Sequence, residues 1–79
     1  MSKKVYVDVT ASFTRDGVII PQAIRWEDDR IFYIDRVLEI RRAAAQKAGG
    51  TGIRYTCRIA GKEAFLFLDQ NRWFVESNK

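Results

Sequence analysis

Arg54 and Arg58 project from one face of an alternating run, Arg41, Arg42 and Lys47 lie just before it, and Tyr6 and Tyr33 fall on the outward parity of neighbouring runs. Guanidinium groups beside exposed rings make the kind of surface that binds single-stranded nucleic acid, the cations meeting phosphates and the rings stacking on bases. An acidic protein surface would answer the same charges. The competing reading is a salt-bridged outer sheet face, because Asp8, Asp35 and Glu39 share comparable parities and reach the arginines across strands. On the residues alone that plainer reading carries more weight. A different use of the surface, engagement of a protein partner or a second copy of the chain, would draw on an apolar patch or open strand edge around Phe65, Phe67 and Trp73.

Catalytic chemistry finds little to work with. The chain has no histidine and one cysteine, so Ser-His and Cys-His nucleophile devices and the zinc signatures cannot be assembled. Cys57 sits between the inward-facing Tyr55 and Ile59 and reads as a small core hydrophobe. Glu27-Asp28-Asp29 lacks the alternating oxygen ligands and the glycine of a calcium loop, which leaves a solvated turn. Gly49-Gly50-Thr51-Gly52 lacks the following Lys-Ser/Thr of a phosphate loop and precedes a strand rather than a helix, so it reads as a flexible loop. Asp8, Asp35, Glu39 and Glu63 supply carboxylates, but no spacing pairs two of them for acid and base work. The expectation is a non-enzymatic protein with no catalytic residue, no metal site and no cofactor.

The elements that must position these side chains are short and alternating. Val5, Val7, Val9, Ala11 and Phe13 take one face of a strand, with Tyr6, Asp8, Thr10 and Ser12 on the other. Asp16-Gly17 predicts a tight hairpin into Val18-Ile19-Ile20, Pro21 predicts a break or bend, and Glu27 to Arg30 predicts a turn. Ile31 to Arg41 is ambiguous: as a strand it needs a bulge or strong twist near Arg36, as a helix it puts Ile34, Val37, Leu38 and Arg41 on one face, and its β-branched and aromatic content favours a strand at least as far as Leu38. Ala43 to Ala48 before Gly49-Gly50 has strong helix propensity with a natural left-handed end, and is read as a helical turn inside a loop. Ile53, Tyr55, Cys57 and Ile59 then alternate with Arg54, Thr56 and Arg58. Gly61-Lys62 predicts a turn into Glu63 to Asp69, and Asp69-Gln70-Asn71 a turn into the closing Arg72-Trp73-Phe74-Val75.

Strands of this length joined by tight turns predict an all-β fold: one small SH3-like barrel spanning residues 1–79, of five or six antiparallel strands with a short helical turn in one loop. A barrel removes the bare apolar face and the exposed edges that a flat sheet would leave. Seventy-nine residues, 47% of them hydrophobic and 13% aromatic, suit a single folded core. The formal net charge of +4 and pI near 9.6 make the chain mildly basic, with nine arginines among its fourteen cations. Met1-Ser2-Lys3-Lys4 leads into Val5 without an apolar signal core, no run approaches the ~20 apolar residues that cross a bilayer, and the lone cysteine fits a reducing compartment. A cytoplasmic location and no membrane contact are therefore expected, with homo-oligomerisation left open.

The segment Trp26 to Val37, the run Ala-Gly-Gly-Thr-Gly-Ile-Arg-Tyr-Thr-Cys-Arg-Ile from Ala48, and Arg72-Trp73-Phe74-Val75-Glu76 resemble a family of small proteins of Gram-positive bacteria with no assigned activity. That likeness covers most of the chain and implies no functional residue. The order of tryptophan, turn, aromatic-apolar strand, Val-Leu, strand pair and terminal Trp-Phe is also similar to an uncharacterised domain found with DNA-repair polymerase homologues, which implies a nucleic-acid setting.

Overall fold

The computed structural model describes residues 3–44 and 51–77. They form β1 (Lys3–Tyr6), β2 (Asp8–Phe13), β3 (Ile19–Arg25), β4 (Ile31–Ala44), β5 (Thr51–Ile59), β6 (Lys62–Asp69) and β7 (Arg72–Ser77), with no helix among the described residues. Every pairing is antiparallel, and the strand order is β1-β7-β6-β5-β4-β3-β2. β1 and β2 are consecutive in the chain yet stand at opposite ends of that order. The sheet therefore curls until its margins meet at Val7, whose amide donates to the Trp73 carbonyl at 3.1 Å. The fold is an all-β half-barrel of seven strands, where five or six strands and a helical turn were expected.

Two stretches of the sequence account for the difference. Val5 to Phe13 alternates like one strand, but Val5 pairs with Val75 while Val9 pairs with Ile24, so the run divides at Val7 between two partners. Ala43 and Ala44, expected in the helical turn, instead prolong β4 by pairing with Gly52 and Thr51. Ladder partners on a long hairpin outweigh the modest helix preference of alanine. The rest of that expectation falls on residues 45–50, outside the described residues.

The concave side holds the core. Ile24, Tyr55, Cys57 and Leu66 are buried there, with Val9, Val37, Leu68 and Val75 among those packed around them. Each large aliphatic side chain removed from water contributes about 1.5–3 kcal/mol. The Tyr55 hydroxyl crosses this interior to donate to the Ile19 carbonyl at 2.7 Å, tying β5 to β3. Phe13, expected inside, is 76% exposed. A register shift between Thr10 and Ala11 reverses the faces of the last part of β2, because a one-residue slip inverts every side chain beyond it. Pro21 lies opposite this shift, buried within β3, and does not end the strand.

β4 pairs with β3 only over Ile31 to Tyr33 and with β5 from Ile34 onward. Register shifts between Ile34 and Arg36 and between Val37 and Glu39 bend it where a bulge was expected. Gly17 (φ 83°) turns the β2-β3 hairpin. Ala60 and Gly61 (φ 53° and 77°) and Gln70 and Asn71 (φ 53° and 64°) all have positive φ, the mark of two-residue type I′ turns. The first of these lies one residue before the expected Gly61-Lys62.

Candidate functional site

Those two tight turns set a register that the whole convex side inherits. The Ala60-Gly61 turn places Ile59 opposite Lys62, and counting back puts Arg54 opposite Phe67 and Thr56 opposite Phe65. The Gln70-Asn71 turn places Asp69 opposite Arg72 and Phe67 opposite Phe74. β1 adds Tyr6 opposite Phe74, and β4 adds Arg41 opposite Arg54. Tyr6, Phe74, Phe67, Arg54 and Arg41 thus form one continuous row across five strands, four spacings of about 4.8 Å or roughly 19 Å long.

Cations sit over the rings of this face. The Arg72 guanidinium carbon lies 4.0 Å from the Tyr6 ring centroid, Lys4 Nζ 4.8 Å from that of Phe74, and the Arg54 guanidinium carbon 4.9 Å from that of Phe65. Phe67 and Phe74 stack at 5.0 Å, and Tyr6 meets Phe74 edge-on at 5.7 Å. Phe74 is covered, while Tyr6 and Phe65 stay 47% and 45% exposed. Each cation over a ring contributes about 0.5–1 kcal/mol at a wet site, so the arrangement holds the guanidinium groups in place at little cost. Arg54 Nε and Asp69 Oδ1, beside Phe67 in the register, are buried with no hydrogen-bond partner among the described residues, which marks unspent polar valence on this face.

Acids temper the charge. Glu39 receives Arg41 at 3.2 Å and lies 3.9 Å from Arg54. Arg58 stands between Arg36 on β4 and Glu63 on β6. The expected neutralisation is therefore real for Glu39, whereas Asp8 and Asp35 make no ion pair among the described residues.

Of the residues singled out from the sequence, Tyr6, Arg41 and Arg54 share the row, and Arg58 lies further along the same face. Arg42 does not join them: it pairs with Ile53, on the opposite parity of β4. Tyr33 is 70% exposed but belongs to the β3-paired end of β4, opposite Ala23 and beyond both register shifts. Phe65 and Phe67 belong to the convex face, but Trp73 does not share it. It pairs with Leu68 and packs 5.4 Å from the Tyr55 ring on the core side. Phe74, Lys4 and Arg72 were not anticipated. Phe74 and Arg72 were readable from the parity of β7, whereas Lys4 required the pairing of the chain's two ends.

A shallow, open depression of about 420 Å³ lies at the row's Tyr6 end, at the corner where β1 passes into β2 beside the β6-β7 turn, lined by residues 6–9 and by Asn71, Arg72 and Trp73. Its size is within the range of small-ligand pockets. No protein-family model, no curated protein and no solved structure matches this chain. The site therefore rests on its own chemistry: two exposed rings, Tyr6 and Phe65, each with a guanidinium over one face, guanidinium groups that bind oxyanions, and an open depression beside them. Among the described residues no group of three or more His, Cys, Asp or Glu is arranged to hold a metal ion, and no helix is long and apolar enough to cross a membrane.

Proposed function

We propose that this chain is a non-catalytic module that binds single-stranded nucleic acid on its convex face. The observation that carries the reading is the register row from Tyr6 to Arg41, with Arg72, Lys4 and Arg54 held over aromatic rings. A single strand laid across this face meets two exposed rings, Tyr6 and Phe65, for its bases and fixed guanidinium groups for its phosphates, a combination that tolerates many sequences. A double helix would need an element that enters a groove, and the convex sheet has none among the described residues.

The test is fluorescence anisotropy with a labelled oligothymidylate at low salt. Binding is expected, and Arg54→Ala, Arg41→Ala and Tyr6→Ala should each weaken it, the arginine variants also lowering the salt dependence by up to about 0.7 of a unit of log-log slope. No binding at low salt would overturn the reading.

A second reading has its own observation. From Ile34 to Ala44 the β3-side edge of β4 has no strand paired to it among the described residues, with Leu38 and Ile40 exposed. An open edge is a template for pairing with another chain, so the module would then self-associate or receive a peptide strand. Sedimentation velocity separates the two: a mass that rises with concentration and falls in Leu38→Lys favours the edge.

A further inference from the structure

We propose that Arg36 and Arg58 form a site for a phosphomonoester, the terminal phosphate of a bound strand. The inference rests on the nucleic-acid reading above and goes further by naming where a strand end is held. The β4-β5 ladder sets two pairs of arginines directly opposite each other on the convex face, Arg41 with Arg54 and Arg36 with Arg58. Like charges in that position are destabilising, so each pair is matched by an anion between its members. Glu39 supplies that anion to the first pair: its Oε2 accepts from the Arg41 guanidinium at 3.2 Å and its Oε1 faces that of Arg54 at 3.9 Å. One planar oxyanion thus bridges two guanidinium groups across these two strands, with each oxygen turned to one arginine.

The second pair has no such bridge among the described residues. Leu38 is the extra residue of the register shift between Val37 and Glu39, and it lengthens β4 on the side of Glu39 that faces Arg36. Glu63 stands opposite Arg58 and Asp35 precedes Arg36, yet neither makes an ion pair among the described residues, and both arginines are exposed. An oxyanion from outside therefore fits the place that Glu39 holds beside Arg41 and Arg54. A phosphodiester within a strand brings one negative charge. A terminal monoester brings close to two at neutral pH, with three acceptor oxygens, and so matches two guanidinium forks in charge and geometry. An exposed ring lies within reach of the same strand end: Phe65 stands opposite Thr56, two residues or about 7 Å along β5 from Arg58, where the base attached to that phosphate would stack.

The experiment compares an oligothymidylate lacking terminal phosphates with the same oligonucleotide carrying a 5′- or a 3′-phosphate, at about pH 8, well above the second pKa of about 6 of a phosphomonoester. At least one phosphorylated form is expected to bind about fivefold more tightly, the upper range of an exposed ion pair. In Arg36→Gln and in Arg58→Gln that ratio should fall towards one, with the fold verified by circular dichroism. Thymidine monophosphate, titrated against the bound phosphorylated oligonucleotide, separates the sources of the group: displacement only in large excess assigns the site to a strand end, and displacement at matched concentration to a free phosphomonoester. Both support the site. Oligonucleotide binding with no gain from either terminal phosphate, or a gain that survives Arg36→Gln or Arg58→Gln, overturns this inference alone. No binding to any oligonucleotide overturns the parent reading and this one with it.

Discussion

Cys57 is the most enclosed titratable side chain of the core, and burial pushes its thiol up from the ordinary value; burial likewise raises the Tyr55 phenol, with the neighbouring Cys57 adding to it. A neutral acid held protonated by the fold stabilises it only while the unfolded chain is protonated too. The unfolded thiol loses its proton near pH 8.5, so stability is complete below that pH and falls as pH rises through the folded value. The slope approaches about 1.4 kcal/mol per pH unit for each group released. Tyr55 adds a second loss from about pH 10 upward. Cys57→Ala should lower stability at pH 7 by leaving a small cavity, yet show a flatter decline between about pH 8.5 and 10. Urea midpoints at neutral and alkaline pH measure both, and parallel declines in the two proteins would dissociate the effect from Cys57. The inward setting of Cys57 was legible because Ile53 to Ile59 alternates without interruption. The outward setting of Phe13 was not, since nothing in the residues marks where the β2 ladder slips.

The hairpins that write the register differ in how well their residues suit them. Ala60 occupies a left-handed φ of 53° before Gly61, and a non-glycine residue there costs about 1–2 kcal/mol. The same strain is milder for Asn71, since asparagine visits that region readily. Ala60→Asn, next to Gly61, supplies the pair that type I′ turns prefer. It should stabilise the protein by about 0.5–1 kcal/mol, raising the melting temperature by roughly 2–8 °C for a domain of this size. Because Ile59 and Lys62 flank this turn, the same substitution should leave nucleic-acid binding intact. A lower melting temperature would mean that the turn is not of this type. Sequence reading placed this turn one residue late because glycine usually comes first in the alternative two-residue turn, and it missed β1 as a separate strand. Pairing between the chain's first and last strands leaves no local trace, which is why Lys4 over Phe74 was not foreseen.

The balance of charge over the whole convex face decides how strongly the molecule responds to salt. Lys4 stands opposite Glu76, Arg72 opposite Asp69, and Arg58 opposite Glu63. Glu39 serves Arg41 and Arg54 together, and Arg36 has only Arg58 across from it. The formal net charge of +4 is thus spread thinly: the register sets a carboxylate opposite Lys4, Arg58 and Arg72, though none of these makes an ion pair among the described residues, and leaves Arg36 and one of the pair sharing Glu39 without one. With about two phosphates neutralised, the log-log salt slope of single-strand binding should be only about −1.4. The sequence anticipated both the arginines and the acids; it could not say that Glu39 is the hinge between them, because that depends on two register shifts in β4. Glu39→Gln removes the shared carboxylate and leaves the strand's shape intact. If the face binds nucleic acid, this substitution should tighten oligonucleotide binding several-fold at low salt and steepen the slope by about −0.7, as one further guanidinium becomes free for phosphate. If the arginines serve only to pair with acids on a solvated sheet, the same change should lower stability slightly and bring no gain in affinity, and anisotropy titrations at two salt concentrations distinguish these results.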